Sequence, residues 1–160
     1  MKSSIQFAQE NDVPSILQFI QKLAEFEKLE LEVEATEEKL RETLFGESSS
    51  AEVILIDYNG QRAGFALFFH NYSTFLAKPG IYLEDLFILP EFRSLGLGRK
   101  LLSFLARLAL ERNCGRLEWS VLNWNQRAID FYLSLGSKPQ SEWTVHRITG
   151  QNLVNLANKN

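Results

Sequence analysis

The stretch RSLGLGRK, residues 93–100, sets two glycines between arginines, three residues after the apolar run IYLEDLFIL and before a second one, KLLSFLARLALER. Residues of these types at this spacing suit the holding of an anion. A helix start presents unpaired N–H groups and the positive end of its dipole. Glycine lets that backbone approach a phosphate closely, because no Cβ stands in the way. Gly96 and Gly98 would do this while Arg93 and Arg99 add charge. Taken alone, a two-glycine turn reads first as a plain strand-to-helix turn. Neither common nucleotide motif is present: the P-loop spacing is absent, and Leu101 stands where a dinucleotide fingerprint needs its third glycine.

A second group with chemical potential lies just upstream. Glu84 and Asp85 are adjacent inside an otherwise apolar strand. An unpaired carboxylate is costly there, so two in a row suggest a cleft, or one of them simply marks the solvent face. Strand alternation predicts that they point to opposite faces. Asn125 falls where a strand gives way to a helix, a capping position. Tyr132 lies on that helix and shares a packing face with Ala128, Phe131 and Leu135. His70 and His146 match no metal-ligand spacing, and Cys114, at a helix end, reads as a packing residue.

These groups need elements to position them. SIQFA (4–8) reads as a first strand. Asp12 is a helix cap with Pro14 in the first turn, and Ile16, Leu17, Phe19, Ile20, Leu23 and Phe26 follow at helical spacing. Thr36 opens a second helix. EVILID (52–57), RAGFALFFH (62–70) and IYLEDLFIL (81–89) form a meander, with the hairpin signal Asn59-Gly60 between the first two. The helix after the glycine turn closes at Asn113-Cys114-Gly115. RLEWSVL (116–122) alternates as a strand, NQRAIDFYLSLG (125–136) is a helix, and EWTVHRI (142–148) is a final strand. The predicted order is β-α-α-β-β-β-α-β-α-β, an α/β fold in which the late β-α-β unit requires some parallel pairing. No repeat, linker or compositional break divides the chain, so residues 1–160 are expected to form a single domain.

Composition narrows the partners. The 160 residues are 45% hydrophobic and 23% charged, with a formal net charge of −3. That balance gives no bulk attraction to nucleic acid and suits a small cationic substrate better. Cys114 is the only cysteine, so no intrachain disulfide can form. The N-terminal residues lack the apolar core of a secretion signal, and no apolar run reaches membrane-spanning length. The expected setting is cytoplasmic, without a membrane partner.

The strand–glycine turn–helix arrangement resembles the Gcn5-related N-acetyltransferase (GNAT) superfamily, whose acyl-CoA motif is Q/R-x-x-G-x-G/A. YLEDLFILPEFRSLGLG, LNWNQRAIDFY and LAEFEKLE are most similar to its diamine (spermidine/spermine) and thialysine acetyltransferases. The resemblance implies a mixed, mostly antiparallel sheet with helices on both faces and a splayed parallel pair at the acetyl-CoA site. It implies transfer of an acetyl group from acetyl-CoA directly to a primary amine of a small cation, without a metal. It assigns the cofactor to Leu86, Phe87 and Ile88, to Arg93, Ser94, Leu95, Gly96, Leu97, Gly98 and Arg99, and to Asn125, Gln126, Arg127 and Ala128. Glu84 would accept the amine proton through water and Tyr132 would protonate the leaving thiolate. Phe26, Glu27, Glu84, Asp85 and Trp143 would bind the amine. The loop NYSTFLAKPG departs from the polyamine-type pattern YDPW: Ser73 stands near the acidic residue and Phe75 near the tryptophan, which favours a smaller amine. The resemblance also suggests a homodimer. Acetylation of a protein lysine or N-terminus, or a non-catalytic CoA-binding module, are the alternatives; Glu84 and Tyr132 argue against the module.

Overall fold

The computed structural model describes residues 2–159 and falls into two compact units, residues 1–120 and 121–160. The first holds a five-stranded sheet in the order β1-β2-β3-β4-β5. Its strands are β1 (Ser3–Phe7), β2 (Glu52–Tyr58), β3 (Gln61–Ser73), β4 (Lys78–Ile88) and β5 (Leu117–Trp119). β1 to β4 pair antiparallel, and β4 pairs parallel with β5.

The helices bury their apolar stripes on the two faces. Helix α1 (Val13–Phe26) and helix α2 (Glu37–Phe45) cover one face. There Val13, Ile16, Phe19, Leu40 and Leu44 pack against Val53, Leu55, Phe65 and Phe87. The rings of Phe19 and Phe65 stack with centroids 5.3 Å apart. Helix α3 (Leu97–Glu111) buries Leu97, Leu101, Leu105 and Leu108 at helical spacing and packs on β4 and β5. Because helices lie on both sides, β2 is buried at four successive residues, Val53 to Ile56.

Local signals explain the element ends. Thr36 caps α2, its hydroxyl accepting from the Lys39 N–H at 3.2 Å. Asn59 and Gly60 take φ of 49° and 78°, the left-handed pair that a two-residue hairpin needs. Asp12 is not a side-chain cap: its carboxylate accepts from the Gln9 N–H and pairs with Arg62 instead.

The stretch read as a loop, residues 71–80, is mostly strand. Tyr72 pairs with Pro79 and Ser73 with Lys78, so only residues 74–77 turn. The Ser73 hydroxyl is buried and accepts from the Leu76 N–H at 3.2 Å, while Phe75 stands fully exposed at the tip.

In the second unit, helix α4 (Gln126–Ser134) begins at Asn125, whose side chain accepts from the Ala128 N–H at 3.3 Å. The expected strand at 142–148 is not formed; those residues are irregular. They lead into a helix the sequence reading missed, α5 (Gly150–Ala157). The strand read at 116–122 is likewise shorter, three residues of β5.

Candidate active site

The parallel pairing of β4 with β5 covers only Ile81 to Leu83 on β4. From Glu84 to Ile88, among the described residues, the one strand paired with β4 is β3. The parallel pairing therefore ends just before the carboxylates.

A β-bulge sits at the same point. Leu67 on β3 faces Asp85, but Phe68 faces Leu83, so Glu84 is an extra residue on β4. A bulge breaks the two-residue alternation and re-aims side chains. Asp85, opposite Leu67, takes the α1 face, with Phe87 two residues further on. Leu86 takes the other face, where its Cδ2 lies 3.8 Å from the position a Cβ would occupy at Gly98. Regular alternation stops at Glu84, so strand periodicity alone does not fix the faces of Glu84 and Asp85 relative to each other.

Helix α1 supplies a third carboxylate. It ends in a Schellman motif: the Leu29 N–H donates to the Ala24 carbonyl at 2.8 Å and the Lys28 N–H to Glu25 at 3.1 Å, with Lys28 at φ 60°. This leaves Phe26 as the last helical residue and Glu27 at the cap. Burial pushes the Glu27 carboxyl up, and Glu84 adds to the shift. Burial pushes Asp85 up to about 7, with Glu84 and then Glu27 adding repulsion. The charge of Glu84 thus acts on both Glu27 and Asp85, and that of Glu27 on Asp85.

The glycine turn opens helix α3. Gly96 is the N-cap of α3 at φ 75°, and no atom lies within 4 Å of where its Cβ would be. Only Leu86 approaches the corresponding point at Gly98. With no side-chain cap on the helix start, its first N–H groups face a space that a side chain would fill. Ser94, at φ 64°, bends the chain into this turn.

The side chain of Arg93 turns back toward β4 and the end of α1. Its Nε donates to the Ile88 carbonyl at 3.0 Å. Its guanidinium carbon lies 5.0 Å from the Phe26 ring centroid and 5.3 Å from that of Phe87. No sequence signal links residues 26 and 93; the contact exists because the end of α1 lies beside the end of β4.

The second unit positions the remaining candidates. Asn125 acts as the α4 cap, and Gln126 donates to Asp130 at 2.8 Å. Arg127 and Ala128 occupy the first turn of α4. Tyr132 lies on α4 with its ring 5.6 Å from that of Phe131, and its carbonyl accepts from the Ser137 hydroxyl at 2.8 Å. Trp143 follows in the irregular segment and is exposed. Among the described residues, no group of three or more His, Cys, Asp or Glu is placed to hold a metal ion, and no helix is long and apolar enough to cross a membrane.

A bulged strand that loses its parallel neighbour, followed by a glycine-capped helix, matches the arrangement expected of the acetyltransferase class. The match to the acetyltransferase (GNAT) family spans residues 17–136. Thialysine N-epsilon-acetyltransferase of Bos taurus is 37% identical over 166 residues, covering 97% of both chains. An L-ornithine N5-acetyltransferase of Arabidopsis thaliana is 32% identical, covering 96% of this chain and 87% of that one. Among solved structures, an integron cassette protein from the mobile metagenome of V. cholerae superposes with a TM-score of 0.83 at 26% identity, covering 99% of each chain. The chain belongs to the GNAT acetyltransferase family, and it is an N-acetyltransferase.

Proposed function

We propose that this protein moves an acetyl group from acetyl-CoA directly to a primary amine of a small cation, thialysine-, diamine- or polyamine-like, with compact amines preferred. One observation carries the reading: Glu27, Glu84 and Asp85 form a single carboxylate cluster where β4 loses its parallel partner. An ammonium group is drawn to that charge and must give up a proton before its nitrogen can attack. A cluster containing a carboxyl that titrates near neutrality can take it. In this reading Asp85 and Glu27 hold the cation, and Glu84, exposed on the bulge, accepts the amine proton through water.

The acetyl group arrives activated as a thioester. Its carrier's diphosphate is held by the main chain from Ser94 to Arg99, and its arm by the main chain of Leu86, Phe87 and Ile88, with Asn125, Gln126, Arg127 and Ala128 as further contacts. The amine nitrogen bonds to the acetyl carbon, the carbon–sulfur bond breaks, and Tyr132 protonates the departing sulfur. The relatives that act on thialysine and ornithine support a short amino-acid-like amine. The inward-turned Ser73 hydroxyl supports it too, since no carboxylate stands there for a distant cation.

We read residues 1–160 as one acetyltransferase domain, because the family match crosses from residue 120 to 121. A cytoplasmic homodimer completes the reading, in keeping with the single, buried free thiol of Cys114. The test is an amine panel with acetyl-CoA, reading released thiol. Thialysine or another short aminoalkyl compound is expected to give a higher kcat/KM than spermine. A clear preference for spermine, or no turnover of any amine, would overturn the reading.

A further inference from the structure

We infer that Arg93 is a positioning residue for the amine pocket and not a ligand of the cofactor's phosphates. This rests on the acetyltransfer reading above and deepens it. The main-chain N–H of Arg93 donates to the Pro90 carbonyl at 3.2 Å, and its Nε donates to the Ile88 carbonyl at 3.0 Å. Both bonds tie it back toward the end of β4. Its guanidinium lies at cation–π distance from Phe26 and Phe87, 5.0 and 5.3 Å from the centroids.

Those two rings belong to the elements that carry the carboxylates. Phe26 precedes Glu27 at the end of α1, and Phe87 follows Asp85 by two residues on the same face of β4. One planar guanidinium thereby fixes the end of α1 relative to β4, and with it the spacing between Glu27 and Asp85. A lysine cannot replace it: an ammonium has no planar fork to donate along the strand while lying against two rings. Phosphate binding is left to the main-chain groups of the turn, which need no side chain.

Two donors separate this role from phosphate binding. Acetyl-CoA carries the diphosphate; S-acetyl-pantetheine does not. With thialysine as acceptor, Arg93→Lys and Arg93→Met should raise the amine KM by about 2- to 30-fold, the range of one cation–π contact. The factor should be the same with either donor, and CoA affinity by calorimetry should not change. Phe26→Leu, which leaves the turn untouched, should raise the same KM, and adding it to Arg93→Met should cost little more. A defect seen with acetyl-CoA but absent with S-acetyl-pantetheine would overturn the inference. So would full rescue by Arg93→Lys, or fully additive effects of Phe26→Leu and Arg93→Met. If the parent enzyme turns over no amine, the acetyltransfer reading falls by itself, and calorimetry still decides the role of Arg93. CoA binding lost in Arg93→Met and restored in Arg93→Lys makes it a phosphate ligand, whereas unchanged binding in both supports positioning.

Discussion

Asp85 is the residue whose environment does most to set its behaviour. Folding places it against α1 and beside two other carboxylates, so it holds a proton up to about pH 7, where an unfolded aspartate loses it near 4. The folded state then binds more protons than the unfolded one between those values, and stability falls as pH rises through that window. Asp85→Asn removes the penalty. Its Tm should exceed that of the parent by about 3–10 °C at pH 8 and match it near pH 4, read by calorimetry. The same variant should raise KM for dicationic amines more than for a neutral-tailed amine; equal KM changes would separate Asp85 from cation binding. At Tyr132 the expectation concerns rate. Tyr132→Phe keeps the ring and removes the hydroxyl, so kcat should fall by about 10²–10⁴-fold with acetyl-CoA affinity unchanged. A kcat within a factor of two of the parent would make the tyrosine a packing residue. The sequence singles out both residues but not the raised pKa of Asp85, which comes first from burial in the fold and then from Glu84 and the distant Glu27.

At the scale of elements, the glycine turn tests the anion cradle most directly. Gly96 sits at φ 75° beside open space, so a substitution there acts through backbone conformation and by filling the cradle. Gly96→Val should weaken CoA binding by about 5- to 150-fold in a calorimetric titration. Gly96→Asn, whose side chain tolerates the left-handed region, should lose less. Equal CoA affinity in folded Gly96→Val would remove the turn from the cofactor site. The turn could be read from residue types because glycine marks its own conformation. The bulge at Glu84 could not: no glycine or proline signals it, and it exists because β3 and β4 need one register below Leu83 and another above. The hairpin at residues 71–80 was misread for a related reason. Proline and glycine suggested a loop, yet Pro79 and Gly80 are accommodated in strand β4. EWTVHRI has the composition of a strand, but a strand also needs a partner, and none of the described strands pairs with it.

For the whole molecule, periodicity and turn chemistry were enough to place the meander, the helices that cover it and the parallel pairing of β4 with β5. Contacts between distant segments were not readable, and the site depends on two of them: Arg93 on Phe26, and Glu27 beside Glu84. The hairpin of β3 and β4 bears on how the protein behaves outside any reaction. Its tip carries Phe75 fully exposed, with Tyr72 and Leu76 also largely exposed. Such a tip has little to lose on substitution but presents an apolar contact to any surface the protein meets. Phe75→Ser should leave Tm within about 2 °C and shorten retention on a phenyl chromatography column. Unaltered retention would mean that the tip is not what the matrix grips. Shortened retention would mean that the hairpin governs how the enzyme is purified and concentrated, a handling property set by residues at one turn.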